Sequence, residues 1–261
     1  MIPFYFPLEF VDEKNKLGLF RHGTDFGNGK SDLEMFQRDE FYELYVNQKA
    51  KRNFFQYSPD HLGLLRDACL YMKRVGRLDL PDLPIPREVP SFFASLASTV
   101  QEDIVVLSAG HEYSGKIVAL SVNFPSGWRP EHLLGKTFSE IHKPIPGFPM
   151  GTSSSLVKAM VTRGPYVRFV WTVTSEDALS QHPDTRTVRF SSLEDSYLRV
   201  ERQSTFPLPD SDGSIFLIRV YVYPVKELSE ERRNILREAL LNMSSDMVEY
   251  KGLSELVSLL G

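Results

Sequence analysis

Apolar residues that alternate with a period of two mark the second half of the chain as strand-rich, and spacings of three and four mark helices around those strands. Asp103–Ser108 reads as a strand. Val118, Leu120 and Val122 then alternate with small or polar residues until Pro125-Ser126-Gly127 stops the run. Three more strands are predicted at Tyr166–Thr174, Tyr197–Phe206 and Ser214–Pro224, each rich in β-branched and aromatic residues and bounded by Pro, Gly or Asp. Between the second and third strands, Leu133, Leu134, Phe138 and Ile141 share one face of a helix over Pro130–Ile141, and Ser153–Val161 predicts another. Upstream, a helix is expected over 34–56 with Phe41, Leu44 and Tyr45 inward. A second follows Pro59, capped by Ser58 or Asp60, and runs to Gly76 with Leu62, Leu65, Cys69, Met72 and Val75 inward; Ser91–Gln101 gives a third. Leu228–Met243 carries Ile235, Leu236, Ala239, Leu240 and Met243 on one stripe after Ser229 as N-cap.

Two strands, short helices and three more strands make an α+β chain. That order is similar to the PAS-type arrangement, a five-stranded antiparallel sheet with helices covering one face and room for a ligand between. N-terminal helices and a C-terminal helix are added to it. Four prolines between residues 77 and 90 form a stiff connector. It divides an N-terminal helical region, 1–90, packed on the core, from a PAS-like domain with its C-terminal helix, 91–261. Residues 1–30 are loop-like. The glycines from Gly23 to Gly29 follow no predicted strand and match neither phosphate-binding fingerprint.

Composition narrows the function classes. A chain of 261 residues, 42% hydrophobic and 25% charged, can bury a sizeable core. The net charge of -4 and pI near 5.9, with basic residues spread rather than clustered, argue against a nucleic-acid partner. Cys69 is the only cysteine, so no disulfide within the chain and no thiolate cluster forms, as expected in a reducing compartment. The N-terminus lacks a basic region followed by an apolar core, and no window approaches the roughly eighteen apolar residues of a membrane span. A cytoplasmic location without membrane attachment is the expectation.

The candidate chemistry centres on Val118–Phe148. Its helix ends at His142, and Pro144, Pro146 and Gly147 follow within five residues, stiffening the chain around that imidazole. A histidine so mounted holds one orientation, either as a loop-bonding structural residue or as a metal ligand. His132 is the second candidate and His182, beside Pro183, the third; His111 lies in a polar hairpin loop and reads as a surface residue. Arg199, Glu201 and Gln203 share one strand face while Val200 and Arg202 take the other, as a solvated face or as part of a site.

Several fragments, in shared order, identify a likeness. Val100-Gln101-Glu102-Asp103, Asn123-Phe124-Pro125-Ser126-Gly127-Trp128-Arg129-Pro130, and Gly135 with Ile141-His142-Lys143-Pro144-Ile145-Pro146-Gly147-Phe148 come first. Phe169-Val170-Trp171-Thr172, Leu198-Arg199-Val200-Glu201-Arg202-Gln203-Ser204 and Glu249-Tyr250-Lys251-Gly252 follow. Together they resemble the alpha subunit of haem-dependent oxidative N-demethylase, from about residue 100 to 252, with weaker likeness at Asp32–Tyr57. The resemblance implies a haem b protein that removes a methyl group from a small secondary amine such as dimethylamine with O2, releasing formaldehyde. Electrons would come from NADPH through a separate flavin and iron–sulfur reductase subunit. On this reading His142 is the iron ligand, and Arg129 and Arg202 meet the haem propionates, unless Arg202 pairs with a carboxylate such as Glu194. A protonated amine needs a carboxylate or an aromatic face: Glu201 with Trp171 is preferred, with Tyr197 and Tyr221 as other sources of the face. The alternatives are a PAS-like haem or small-ligand sensor without catalysis, and a structural subunit that has lost the cofactor.

Overall fold

The computed structural model describes residues 2–10, 18–81 and 86–261. Parts of the N-terminal stretch and of the proline-rich connector, at 11–17 and 82–85, lie outside the described residues. One antiparallel sheet organises the rest. Its seven strands are β1 (Phe20–Arg21), β2 (Gln56–Tyr57), β3 (Asp103–Ser108), β4 (Lys116–Ser121), β5 (Tyr166–Thr174), β6 (Tyr197–Pro207) and β7 (Gly213–Pro224), in the order β1-β5-β6-β7-β3-β4-β2. The five expected strands form its interior, and two-residue strands from the N-terminal region add one pairing at each edge.

Among the described residues there are nine α-helices: α1 (Lys30–Leu33), α2 (Tyr42–Arg52), α3 (Leu62–Val75), α4 (Val89–Ser98), α5 (Phe138–His142), α6 (Ser153–Thr162), α7 (Glu230–Leu241), α8 (Ser245–Lys251) and α9 (Ser254–Leu260). Helices α3 and α4 cover one sheet face over β3 and β4, burying Leu65, Cys69, Met72, Phe93 and Leu96 against Ile104, Val106 and Leu217. The N-terminal segment and α7–α9 cover the same face farther along, over Val167, Phe169, Val200 and Tyr221. Helices α5 and α6 lie on the opposite face, over Val105, Leu107 and Leu120.

Tertiary contacts override the local pattern in three places. The helix expected over 34–56 shortens to α2, and Phe41 and Leu44 are exposed rather than inward. The buried positions of α2 are Tyr45 and Lys49, one turn apart. Lys49 donates to the Ala97 carbonyl at 3.1 Å and lies 3.8 Å from the Asp103 carboxylate, so a residue that reads as polar surface becomes a buried brace. Its burial lowers its pKa to about 8, against the opposing pull of Asp103 and Glu102. Val75, expected inward, is likewise exposed at the end of α3.

The second correction is the helix over Pro130–Ile141. Only one turn forms at Pro130–His132, and the chain then leaves the helix because Gly135, at φ 80°, donates to the Ile117 carbonyl while Ile117 donates to that of Lys136. Pairing with β4 satisfies backbone groups that a continuous helix would have satisfied internally. Third, the single C-terminal helix is followed by two more: Gly252, in the left-handed region, ends α8 and starts the turn into α9.

Candidate functional site

Strand pairing defines the site. Arg168, Val170 and Thr172 of β5 stand opposite Gln203, Glu201 and Arg199 of β6, and the last two stand opposite Val220 and Val222 of β7. Directly opposed residues share a face, so these side chains lie on the side that carries α5 and α6. The face is buried at its centre, with Arg199 1% and Glu201 7% exposed, and half-buried around it at Arg168, Val170, Thr172 and Gln203.

Above it, α5 begins at a capping box. Thr137 accepts from the Glu140 backbone N–H, and the Glu140 carboxylate accepts from that of Thr137 at 2.8 Å. Five residues later His142 ends the helix. Its Nδ1 lies 2.7 Å from the Phe138 carbonyl, and because a carbonyl only accepts, Nδ1 carries the proton and Nε2 the lone pair. The ring stacks on Phe138 at a centroid separation of 4.0 Å and packs against Phe148 at 4.6 Å, and the two phenyl rings touch each other at 6.0 Å. Burial lowers the His142 pKa more than the Phe138 carbonyl raises it, and the Arg168 charge lowers it further. The imidazole is thus neutral, oriented, and free at Nε2 of any hydrogen bond among the described residues.

The loop after β4 supplies the remaining polar groups. Ser126 Oγ donates to Glu201 and accepts from Arg199 Nε at 2.8 Å, Arg199 also donates to the Phe124 carbonyl at 2.8 Å, and Gln203 donates to Glu201 at 2.8 Å. Glu201 is therefore gripped on both oxygens. From the end of α8, Lys251 donates to the Trp171 carbonyl on the edge of β5, with its pKa lowered to about 8 by burial against the opposing charge of Glu201. Around Glu201, Arg168 Nε, Thr172 Oγ1 and Arg199 NH1 are buried without a partner, as are Thr205 Oγ1 and Ser214 Oγ farther along the same face.

The expected site residues divide. His142 and Glu201 share the α5 and α6 side of the sheet, whereas Trp171 stands opposite Val200 and Arg202 opposite Phe169, on the other face. Trp171 packs with the C-terminal helices. Arg202 donates to Ser204 at 3.0 Å and contacts His22 and the Asp32 carbonyl, so neither Glu194 nor a ligand beside His142 meets it. A residue step of one reverses the face, and this parity separates Trp171 and Arg202 from Glu201. Arg129 is a surface group gripping Asp184 through both terminal nitrogens, with Glu131 3.5 Å away. His132 is exposed; His182 is buried and bonded to Glu131 at 3.1 Å. Tyr221 lies on the Trp171 face, and Tyr197 at the outer end of the Glu201 face. Sequence reasoning assigned no role to Ser126, Arg168 or Lys251, although Ser126 and Lys251 lie in the quoted fragments that carry the likeness.

Among the described residues no group of three or more His, Cys, Asp and Glu side chains converges on a metal position. The model of the family described as haem-dependent oxidative N-demethylase, alpha subunit-like matches residues 34–259. No curated protein matches the chain.

Proposed function

The chain belongs to the haem-dependent oxidative N-demethylase alpha-subunit-like family, and on that premise we propose that it holds haem b through His142 and removes a methyl group from a small secondary amine such as dimethylamine, with O2 consumed and formaldehyde released. One observation carries the reading: His142 donates Nδ1–H to a backbone carbonyl and keeps Nε2 unpartnered, the arrangement that fixes a metal-ligating imidazole. The surroundings fit a macrocycle, because half-buried Leu133, Leu134, Ile141, Phe148 and Phe216 gather around α5 and α6 beside the polar strand face. Haem, when bound, supplies the O2 chemistry.

The protein's own part is to bind and orient. Phe138 and Phe148 hold the imidazole, and Glu201, fixed by Ser126 and Gln203, receives the protonated amine. The order β4-β3-β7-β6-β5 of the five long strands, with α5 and α6 inserted between β4 and β5, supports a PAS-like domain at 91–261 with the 1–90 region packed on it. Electrons require a separate flavin and iron–sulfur subunit fed by NADPH. Cys69 is buried, its thiol pushed up to about 12 by burial, and cannot serve a cluster. A cytoplasmic setting is part of the proposal; no helix among the described residues is long and apolar enough to cross a membrane.

Amine titration of the ferric, haem-loaded protein, followed by the Soret band, tests this function. Glu201→Gln keeps the hydrogen-bonding shape and removes the charge, so amine affinity is expected to fall about tenfold or more, the weight of one charge-assisted hydrogen bond. Equal affinity in the variant would exclude the role of Glu201. A parent with a Soret band and no amine response would favour the sensor reading, and a parent that takes up no haem would favour a structural subunit.

A further inference from the structure

Arg168 is the unexplained cation of the Glu201 face. Its guanidinium makes no hydrogen bond or ion pair among the described residues, and its Nε is shut off from solvent. The carboxylate that acts on it is Glu201, which is hydrogen-bonded to Ser126 and Gln203 rather than to Arg168. Arg199, on the neighbouring strand, is 1% exposed with NH1 unpartnered. Thr172 stands directly opposite Arg199, and its hydroxyl is also unpartnered. Lys251 adds a third cation to which Glu201 is the opposing charge. Asp103 reaches Arg199 electrostatically, but it already neutralises Lys49 and accepts from the Asn123 and Phe124 backbones.

Unpartnered N–H groups also occur on the opposite face, at Arg202 and Arg219, but those guanidiniums have other work. Arg219 pairs with Asp39 at 2.6 Å, and Arg202 is bonded to Ser204. Arg168 has no such partner. A buried donor left unmade is costly, as at Arg168 Nε and Arg199 NH1, and three cations stand against one carboxylate on this half-buried face. Both shortfalls are relieved by the same thing, a small acceptor with negative charge.

We propose that Arg168, with Arg199 NH1 and Thr172 Oγ1, forms a subsite for a small inorganic anion beside Glu201. Glu201 and the subsite then divide the face by charge: the carboxylate takes the cationic amine, and the guanidiniums take the anionic partner next to it. The subsite deepens the proposed function, and it rests on the haem reading for its optical readout.

Fluoride and azide titrations of the ferric, haem-loaded protein at pH 7, read from the Soret band, test the subsite. Arg168→Leu is expected to weaken fluoride binding about tenfold or more, the loss of one charge-assisted hydrogen bond, with part of the affinity restored in Arg168→Lys. Thr172→Val, which keeps shape and removes only the hydroxyl, is expected to give a smaller loss in the same direction. Arg129→Gln, at the surface pair with Asp184, is expected to leave fluoride affinity unchanged. Native fluoride and azide affinity in both Arg168→Leu and Thr172→Val would overturn the subsite while leaving haem binding in place. A parent that takes up no haem would instead remove the haem reading. The subsite is then judged on the same chain by thermal unfolding in nitrate at constant ionic strength: stabilisation lost in Arg168→Leu supports it, and equal behaviour of parent and variant overturns it.

Discussion

His142→Ala is expected to give a folded protein that has lost the Soret signature of histidine-ligated haem, with haem affinity down by more than about a hundredfold. Substitutions that only disturb the partner of a metal-bound histidine already cost about ten- to a hundredfold in metal affinity, and here the ligand itself is removed. The fold should survive because His142 ends a five-residue helix, half-buried, with one hydrogen bond to Phe138 and two ring contacts. His132→Ala and His182→Ala should keep the native spectrum, since His132 is exposed and His182 is bonded to Glu131. If His142→Ala retains the spectrum while His132→Ala loses it, the iron ligand has been misassigned. A pH titration gives a second check. Burial lowers the His142 pKa, so protons compete for Nε2 only at pH values below the usual histidine range. Haem should therefore stay ligated as pH falls through about 6.5, the pKa of an unperturbed histidine, and be released below it.

Asp39→Ala is expected to destabilise the fold by about 3–5 kcal/mol, the cost of leaving one partner of a buried ion pair alone. Arg219 is fully buried, its guanidinium 2.6 Å from Asp39 and stacked against Tyr45 and Tyr221 at 3.9 and 4.8 Å from their centroids. Asp39 also accepts from Gln101 at 2.9 Å and from the Phe41 N–H at 3.0 Å, so three groups lose a partner at once. Asp39→Asn keeps the shape and the Gln101 contact and should show the charge contribution alone. Arg219→Met together with Asp39→Asn removes both charges and should recover a large part of the loss. Urea unfolding measures this through the shift in midpoint, and a loss below about 1 kcal/mol in Asp39→Ala would mean that water reaches Arg219. Arg219 lies on the sheet face away from His142, so whatever protein remains folded should keep its haem spectrum.

Asp103–Ser108 and Tyr166–Thr174 are predicted strands whose ends the structure reproduces, and Ser229 caps α7 by accepting from the Arg232 N–H as its sequence context predicts. These features are local: alternation, turn residues and capping act over a few residues and need no distant partner. The stiff mount of His142 was legible for the same reason, since Pro144, Pro146 and Gly147 are its neighbours in sequence, whereas the capping box at Thr137 that starts its helix was not read.

What lies beyond that reach is set by pairing across the fold. The sequence by itself places Arg199, Glu201 and Gln203 together on one side of a strand, because adjacent side chains of a strand alternate. It does not say which side meets α5, and the β5–β6 register alone brings Arg168 and Thr172 to Glu201 and turns Trp171 and Arg202 away. Lys251 reaches the edge of β5 from 80 residues away, and Lys49 becomes a buried brace only because Asp103 and the Ala97 carbonyl arrive from elsewhere. The break at Gly135 has the same origin, in backbone bonds to Ile117 that outweigh an amphipathic helical pattern. Local sequence thus determined the elements and the mounted histidine, whereas tertiary structure decided which charges share its face, because burial and pairing are properties of contacts between residues far apart in the chain.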